Sequence, residues 1–214
     1  VDRREVIIYV AVFLFTLVML WNDQSIILVL GVVLFTTLIA FTIHVIYPMA
    51  WETRMNRLDA FLRNKQHKPY IYIFYATANR LDEEVEQTIE KLMSDPRASK
   101  STKANYQAAY GSYRKDMFTL RKAVREMRRS DYRTYYETIL LTEEGNSERA
   151  RAHLTSIKKE WMRFALLAEI ERRLNHLEQA AEYASKAIQA SRGVNRYIMT
   201  KEAERYYTKE QLAQ

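Results

Sequence analysis

The chain contains no cysteine. Disulfide staples, thiolate-held zinc, iron–sulfur clusters and thiol nucleophiles are therefore excluded. Glycine and proline are scarce, at 4 and 3 in 214 residues. Sheets need frequent tight turns, and tight turns need those residues. Beyond residue 47 the breakers are Pro48, Pro69, Pro96, Gly111, Gly145 and Gly193, too few for a β-rich domain. The composition predicts an all-α chain.

Charge is missing from two stretches near the start, Val6 to Trp21 and Ile26 to Tyr47, separated by Asn22-Asp23-Gln24-Ser25. At about 1.5 Å per residue the second spans roughly 33 Å, close to a hydrocarbon core of about 30 Å. The first spans roughly 24 Å, and Arg3 and Arg4 can snorkel to extend it. A cleaved signal peptide is disfavoured because the first run ends Met19-Leu20-Trp21-Asn22, without a small-x-small site. Residues 1–47 therefore read as a transmembrane hairpin of two antiparallel helices. The loop carries no Lys or Arg. Arg54, Arg57, Arg63, Lys65 and Lys68 follow the second run. The positive-inside rule then puts both termini in the cytoplasm of a plasma membrane, with a bacterial one as the simplest fit. Trp21, Tyr47 and Trp51 fall at membrane-interface levels. Thr36, Thr37 and Thr42 are read as bonding their own helix carbonyls rather than lining a path.

The formal net charge is +7. Residues 1–47 sum to −1, so the remainder carries about +8, which suits an anionic surface or an acidic partner. Residues 48–68 read as a juxtamembrane amphipathic helix and linker. Trp51, Met55, Leu58 and Leu62 form its stripe, set either in the headgroup layer or against the following domain. Residues 69–214 read as a cytoplasmic all-helical domain. Tyr70 to Tyr75 is expected as a buried helix, followed by an amphipathic one through Leu81, Val85, Ile89 and Leu92, the two making an αα-hairpin. Tyr106, Tyr110, Tyr113, Met117, Leu120, Val124 and Met127 recur at alternating spacings of four and three. That predicts one helix of roughly 25 to 28 residues with Gly111 tolerated inside it. Asp131 is the expected cap of the next helix, and Gly145-Asn146 marks a turn. Gly193 is expected to end a helix that begins near Leu177. A last, partly exposed helix carries Tyr197, Ile198, Ala203 and Tyr206.

The strongest electrostatic feature lies at residues 114–133. Arg114, Arg121 and Arg128 repeat every seven residues, with Arg125 and Arg129 beside them. On one helix these would form a stripe able to bind a partner or an anionic surface, and the bland alternative is a solvated face. Nucleic acid is disfavoured because the neighbouring tyrosines fall in the core seam. His44, His67, His153 and His176 are never four apart, so no metal site is expected. No phosphate loop, dinucleotide fingerprint or nucleophile elbow occurs, and neither enzymatic activity nor a cofactor is expected.

Glu178-Gln179-Ala180-Ala181-Glu182-Tyr183-Ala184-Ser185-Lys186-Ala187-Ile188 resembles the second helix of a tetratricopeptide repeat, a helix–turn–helix unit of about 34 residues. Ala180, Ala184 and Ala187 match its small positions. Phe164, Leu167 and Ala168 match the first helix, so the resemblance covers residues 161–194. It implies a stacked helical scaffold that binds peptides or proteins in a groove. The resulting expectation is a membrane-anchored cytoplasmic helical-repeat protein acting as an interaction scaffold or adaptor. Its expected partners are the lipid bilayer, a protein or a second copy, with anionic lipid as a further contact. The alternative is an accessory subunit of a membrane transport or secretion complex whose hairpin makes the specific contacts.

Overall fold

The computed structural model describes residues 3–22 and 25–212, with side chains from Val10 onward except Leu20. The Asp23-Gln24 part of the expected loop and the Arg3 and Arg4 side chains lie outside the described residues. The described residues are helical and irregular, with no strand among them. They form two compact units, Val1–Glu52 and Thr53–Gln214.

The first unit packs α1 (Arg3–Trp21) against α2 (Ile26–Phe41). Helix α2 runs through a π turn, Thr42–Ile46, into α3 (Tyr47–Ala50). Pro48 explains the π turn. It has no N–H to give and its ring crowds the carbonyl four residues back, and the wider turn lets the helix pass it. The Tyr47 N–H bonds the Thr42 carbonyl instead. Ile26–Ala50 is one continuous helical stretch of 25 residues, and an 18-residue window within it has mean hydropathy 2.8. At about 37 Å it is long and apolar enough to cross a membrane. The apolar part of α1 with described side chains, Val10–Met19, is shorter. Thr36, Thr37 and Thr42 donate to the carbonyls of Val32, Val33 and Leu38 of their own helix at 2.7–2.8 Å.

The second unit begins with α4 (Met55–Arg63). Four helix pairs follow: α5 (Pro69–Ala78) with α6 (Asp82–Ser94), α7 (Lys100–Arg114) with α8 (Met117–Glu126), α9 (Asp131–Glu143) with α10 (Ser147–Leu154), and α11 (Glu160–Arg173) with α12 (Leu177–Ala190). Helices α13 (Gly193–Ala203) and α14 (Lys209–Leu212) complete it. Each pair is joined by the same device. One residue in the turn adopts a left-handed conformation: Arg80 (φ 56°), Lys115 (56°), Gly145 (75°) and Asn175 (64°). The next N–H then reaches five residues back. Leu81 bonds Ala76 at 3.0 Å, Asp116 bonds Gly111 at 2.8 Å, Asn146 bonds Leu141 at 2.9 Å and His176 bonds Glu171 at 2.9 Å. This is the Schellman closure, which supplies carbonyls at the helix end with donors and reverses the chain. The four left-handed positions are spaced 35, 30 and 30 residues apart.

Each local core consists of a hairpin and the first helix of its successor. Ala104, Ala108, Leu120, Ala123, Val124 and Met127 of the α7–α8 region enclose Leu140 of α9. Ala150, Leu154 and Ile157 then meet Met162, Leu166 and Ile170 of α11. Side-chain links hold the hairpin turns along one edge: the Arg80 guanidinium donates to the Tyr113 carbonyl at 3.1 Å, Arg121 to Glu144 at 2.8 Å, and Arg173 to Glu143. The loops between hairpins are joined along the opposite edge, where Asp131 accepts the Lys158 and Lys159 N–H groups at 3.2 and 3.1 Å. Helix α13 returns to the start of the unit, packing on α4 and α5. The fully buried Tyr197 donates its hydroxyl to Asp59 at 2.7 Å and accepts from Asn79 at 2.8 Å.

Several expectations are corrected. The single long helix through residues 106–127 is two antiparallel helices, broken at Lys115. Asp116 restarts the chain by accepting the Phe118 and Thr119 N–H groups, both at 3.1 Å. Gly111 is needed for close approach rather than merely tolerated, because a Cβ there would lie 2.8 Å from the Leu120 backbone nitrogen. Ser130, not Asp131, caps α9 by accepting the Arg133 N–H at 3.3 Å. Gly193 opens α13 instead of closing α12, and Tyr197 is core. Of the two placements left open for the stripe over residues 51–62, Leu58 and Leu62 of α4 take the one against the following domain, being fully buried in it, while Trp51 lies outside that helix.

Two substitutions on neighbouring positions should move stability in opposite directions. Gly111→Ala forces α7 and α8 apart and should cost about 2 kcal/mol, in the range of overpacking. Lys115→Gly relieves a left-handed residue with a Cβ and should add about 1 kcal/mol. Urea unfolding of the full chain followed by circular dichroism reads both.

Candidate functional site

A groove lies where α8 and α10 both pack on α9. It encloses about 520 Å³ and is lined by Arg121, Glu137, Leu140, Leu141, Glu144, Arg149, Ala152 and His153. Local sequence sets each wall. Asp116 starts α8 and so fixes the direction of Arg121. Gly145 turns the chain, and Asn146 caps α10 by accepting the Arg149 N–H at 3.4 Å. Residues 137, 140, 141 and 144 stand at helical spacing on α9, and 149, 152 and 153 do so on α10.

The floor, Leu140, Leu141 and Ala152, is apolar and the rim is charged. Both rim acids are already paired, Glu144 with Arg121 at 2.8 Å and Glu137 with Arg133 at 2.8 Å. Arg149 has no ion pair among the described residues. The His153 Nδ1 is buried without a hydrogen-bond partner in the structure. Among the charged lining residues Arg149 is thus the one cation without a carboxylate partner among the described residues.

The structure separates the sequence-predicted cluster. Arg114 ends α7, 3.7 Å from Asp82 and 3.8 Å from Glu86. Arg121 lines the groove. Arg125 lies one turn further along α8, and Arg128 and Arg129 stand exposed in the loop after it. The seven-residue repeat is not one face, because the helix that would carry it is broken at Lys115. Tyr47 begins α3, Trp51 follows it, and Trp21 ends α1; all three are exposed. Sequence reasoning missed Arg149 and His153, whose position depends on α10 folding back over α9.

A buried charge cluster supports the neighbouring hairpin. The Glu171 carboxylate, 2 % exposed, accepts from Arg151 of α10 and pairs with the His176 Nδ1 at 2.9 Å. Burial by itself pushes this carboxyl upward. Hydrogen bonds from His176 and Arg151 outweigh it and hold the group below its ordinary value of 4.5. Tyr135 and Tyr136 are pushed up, first by burial. Tyr113 is raised to about 12 by burial and by its bond to Asp82. No group of three or more metal-ligating side chains occurs among the described residues.

The chain matches no protein-family model, no curated protein and no solved structure.

Because the folded Glu171 carboxyl titrates below its unfolded value, its contribution is complete above pH 4.5 and drains as the pH falls through the folded value. Glu171→Gln should cost about 2 kcal/mol at pH 7 and should remove part of the acid-limb decline in melting temperature. Thermal unfolding of wild type and variant from pH 7 to pH 3 tests both the size and the sign.

Proposed function

We propose that the protein is a membrane-anchored scaffold whose helical domain receives a partner protein on its surface. The observation that carries this reading is the groove on α9, with an apolar floor and a cation, Arg149, left over at its rim. A pocket of a few hundred cubic ångströms with an apolar floor and a few polar groups is the usual form of a binding site. The four hairpins share one turn closure at positions 35, 30 and 30 residues apart, which supports an irregular helical-hairpin array of tetratricopeptide-like kind. They give the domain the quasi-repeating build of interaction scaffolds.

In this reading α1 and α2 form a two-span hairpin with both ends in the cytoplasm of a plasma membrane. The 25-residue apolar stretch Ile26–Ala50 supports the anchor. Cations follow that stretch and the loop between the helices has none, which supports the orientation. Confinement to a surface raises the effective concentration of any partner in the same membrane, so a modest groove affinity suffices.

A photo-crosslinking residue at position 149 tests the scaffold in cells, with position 182 on the exposed face of α12 as control. One discrete adduct from position 149 and none from 182 is the expected result. Carbonate-washed membranes should retain the full chain, and removal of residues 1–52 should release it. No adduct from either position, or loss of the full chain to the carbonate wash, overturns the reading.

A further inference from the structure

We infer that the groove on α9 takes an amphipathic α-helix from an acidic partner, laid between α8 and α10 with its apolar face on Leu140, Leu141 and Ala152. This inference rests on the scaffold reading only for the partner being a protein.

The shape argues for a helix. The lining residues of α9 run from 137 to 144, two turns, about 10 Å. The walls are themselves helices, α8 and α10, each packed on α9, so an incoming helix packs ridge into groove as helices do. No strand is present among the described residues to offer an edge to an extended peptide.

The charges argue for acid on that helix. Glu137 and Glu144 are neutralised by Arg133 and Arg121 within the protein. Arg149 has no ion pair among the described residues, and a guanidinium presents five donors of which Arg121 commits one to Glu144. A carboxylate on the incoming helix would pair with the exposed Arg149 guanidinium, for which no described residue supplies an acid. Arg125, Arg128 and Arg129 continue the positive field past one end of the groove, so a longer acidic helix is steered in as well as held.

Anionic lipid is the weaker occupant. The groove floor is a closed apolar patch inside a charged rim, which fits side chains on one helical stripe better than a sheet of headgroups.

The probe is a fluorescein-labelled, hydrocarbon-stapled 15-residue helix with leucines on one stripe and glutamates flanking it. A second peptide has lysine at every glutamate position. Both are titrated by anisotropy against the full chain in phosphatidylcholine nanodiscs. The glutamate peptide is expected to bind at least tenfold tighter than the lysine peptide. Ala152→Trp, which fills the exposed floor, and Arg149→Glu should each weaken it at least tenfold without changing the circular dichroism or melting temperature. Arg149→Glu should in turn improve the lysine peptide.

Equal binding of the two peptides, or binding unaffected by Ala152→Trp, overturns the inference. So does displacement of the peptide by phosphatidylserine vesicles, which would give the groove to lipid. Binding sites that become available only as the chain is diluted also overturn it, because a second copy would then fill the groove. Adducts from position 149 in cells without peptide discrimination would sink this inference and leave the scaffold standing. Discrimination without adducts would do the reverse.

Discussion

A helix that stops inside a packed hairpin leaves carbonyls pointing at nothing. In the second unit this problem is met four times in one way: a left-handed residue turns the chain, and the following N–H reaches back five positions. Everything above the level of the single helix depends on that closure. It sets α6 on α5, α8 on α7, α10 on α9 and α12 on α11, and so fixes which face of each pair is left for the next. Three of the four positions are filled by residues with side chains, Arg80, Lys115 and Asn175. At Arg80 and Lys115 packing therefore imposes the conformation where residue preference does not ask for it, whereas asparagine adopts it readily.

That circumstance explains what the sequence showed and what it hid. Gly145-Asn146 announces its turn because glycine is the residue the geometry favours. Lys115-Asp116 announces nothing. The apolar spacing runs through it without interruption, because two antiparallel helices sharing cores can prolong a single three–four rhythm. Tyr106, Tyr110 and Tyr113 pack toward the α5–α6 core. Met117, Leu120, Val124 and Met127 face the α7–α9 core. One apparent seam is two half-seams. The aromatic run from Tyr70, the hairpin that follows it and the α11–α12 pair were legible, since each is set by local periodicity and a clear breaker.

The charged residues teach a related lesson. Composition gave the excess of arginine, and spacing suggested a stripe. Whether a cation is free is a tertiary fact. Arg114 and Arg121 meet acids on neighbouring elements, while Arg149, unremarkable in sequence, stands beside an apolar floor with no ion pair among the described residues. His153 is the same case: a histidine without a partner at the fourth position reads as surface until α10 is folded over α9.

Tyr197 has a consequence for how the domain is made. Its hydroxyl is bonded to Asn79, 118 residues earlier, and to Asp59, 138 residues earlier. During vectorial synthesis the opening helices must wait for that ring with part of their apolar surface bare. Linear arrays of helical pairs melt from their ends, each end being a place where only one neighbour holds on. Here the beginning and the returning helix clasp each other, so neither frays independently. The domain trades early protection on the ribosome for a single cooperative transition once complete.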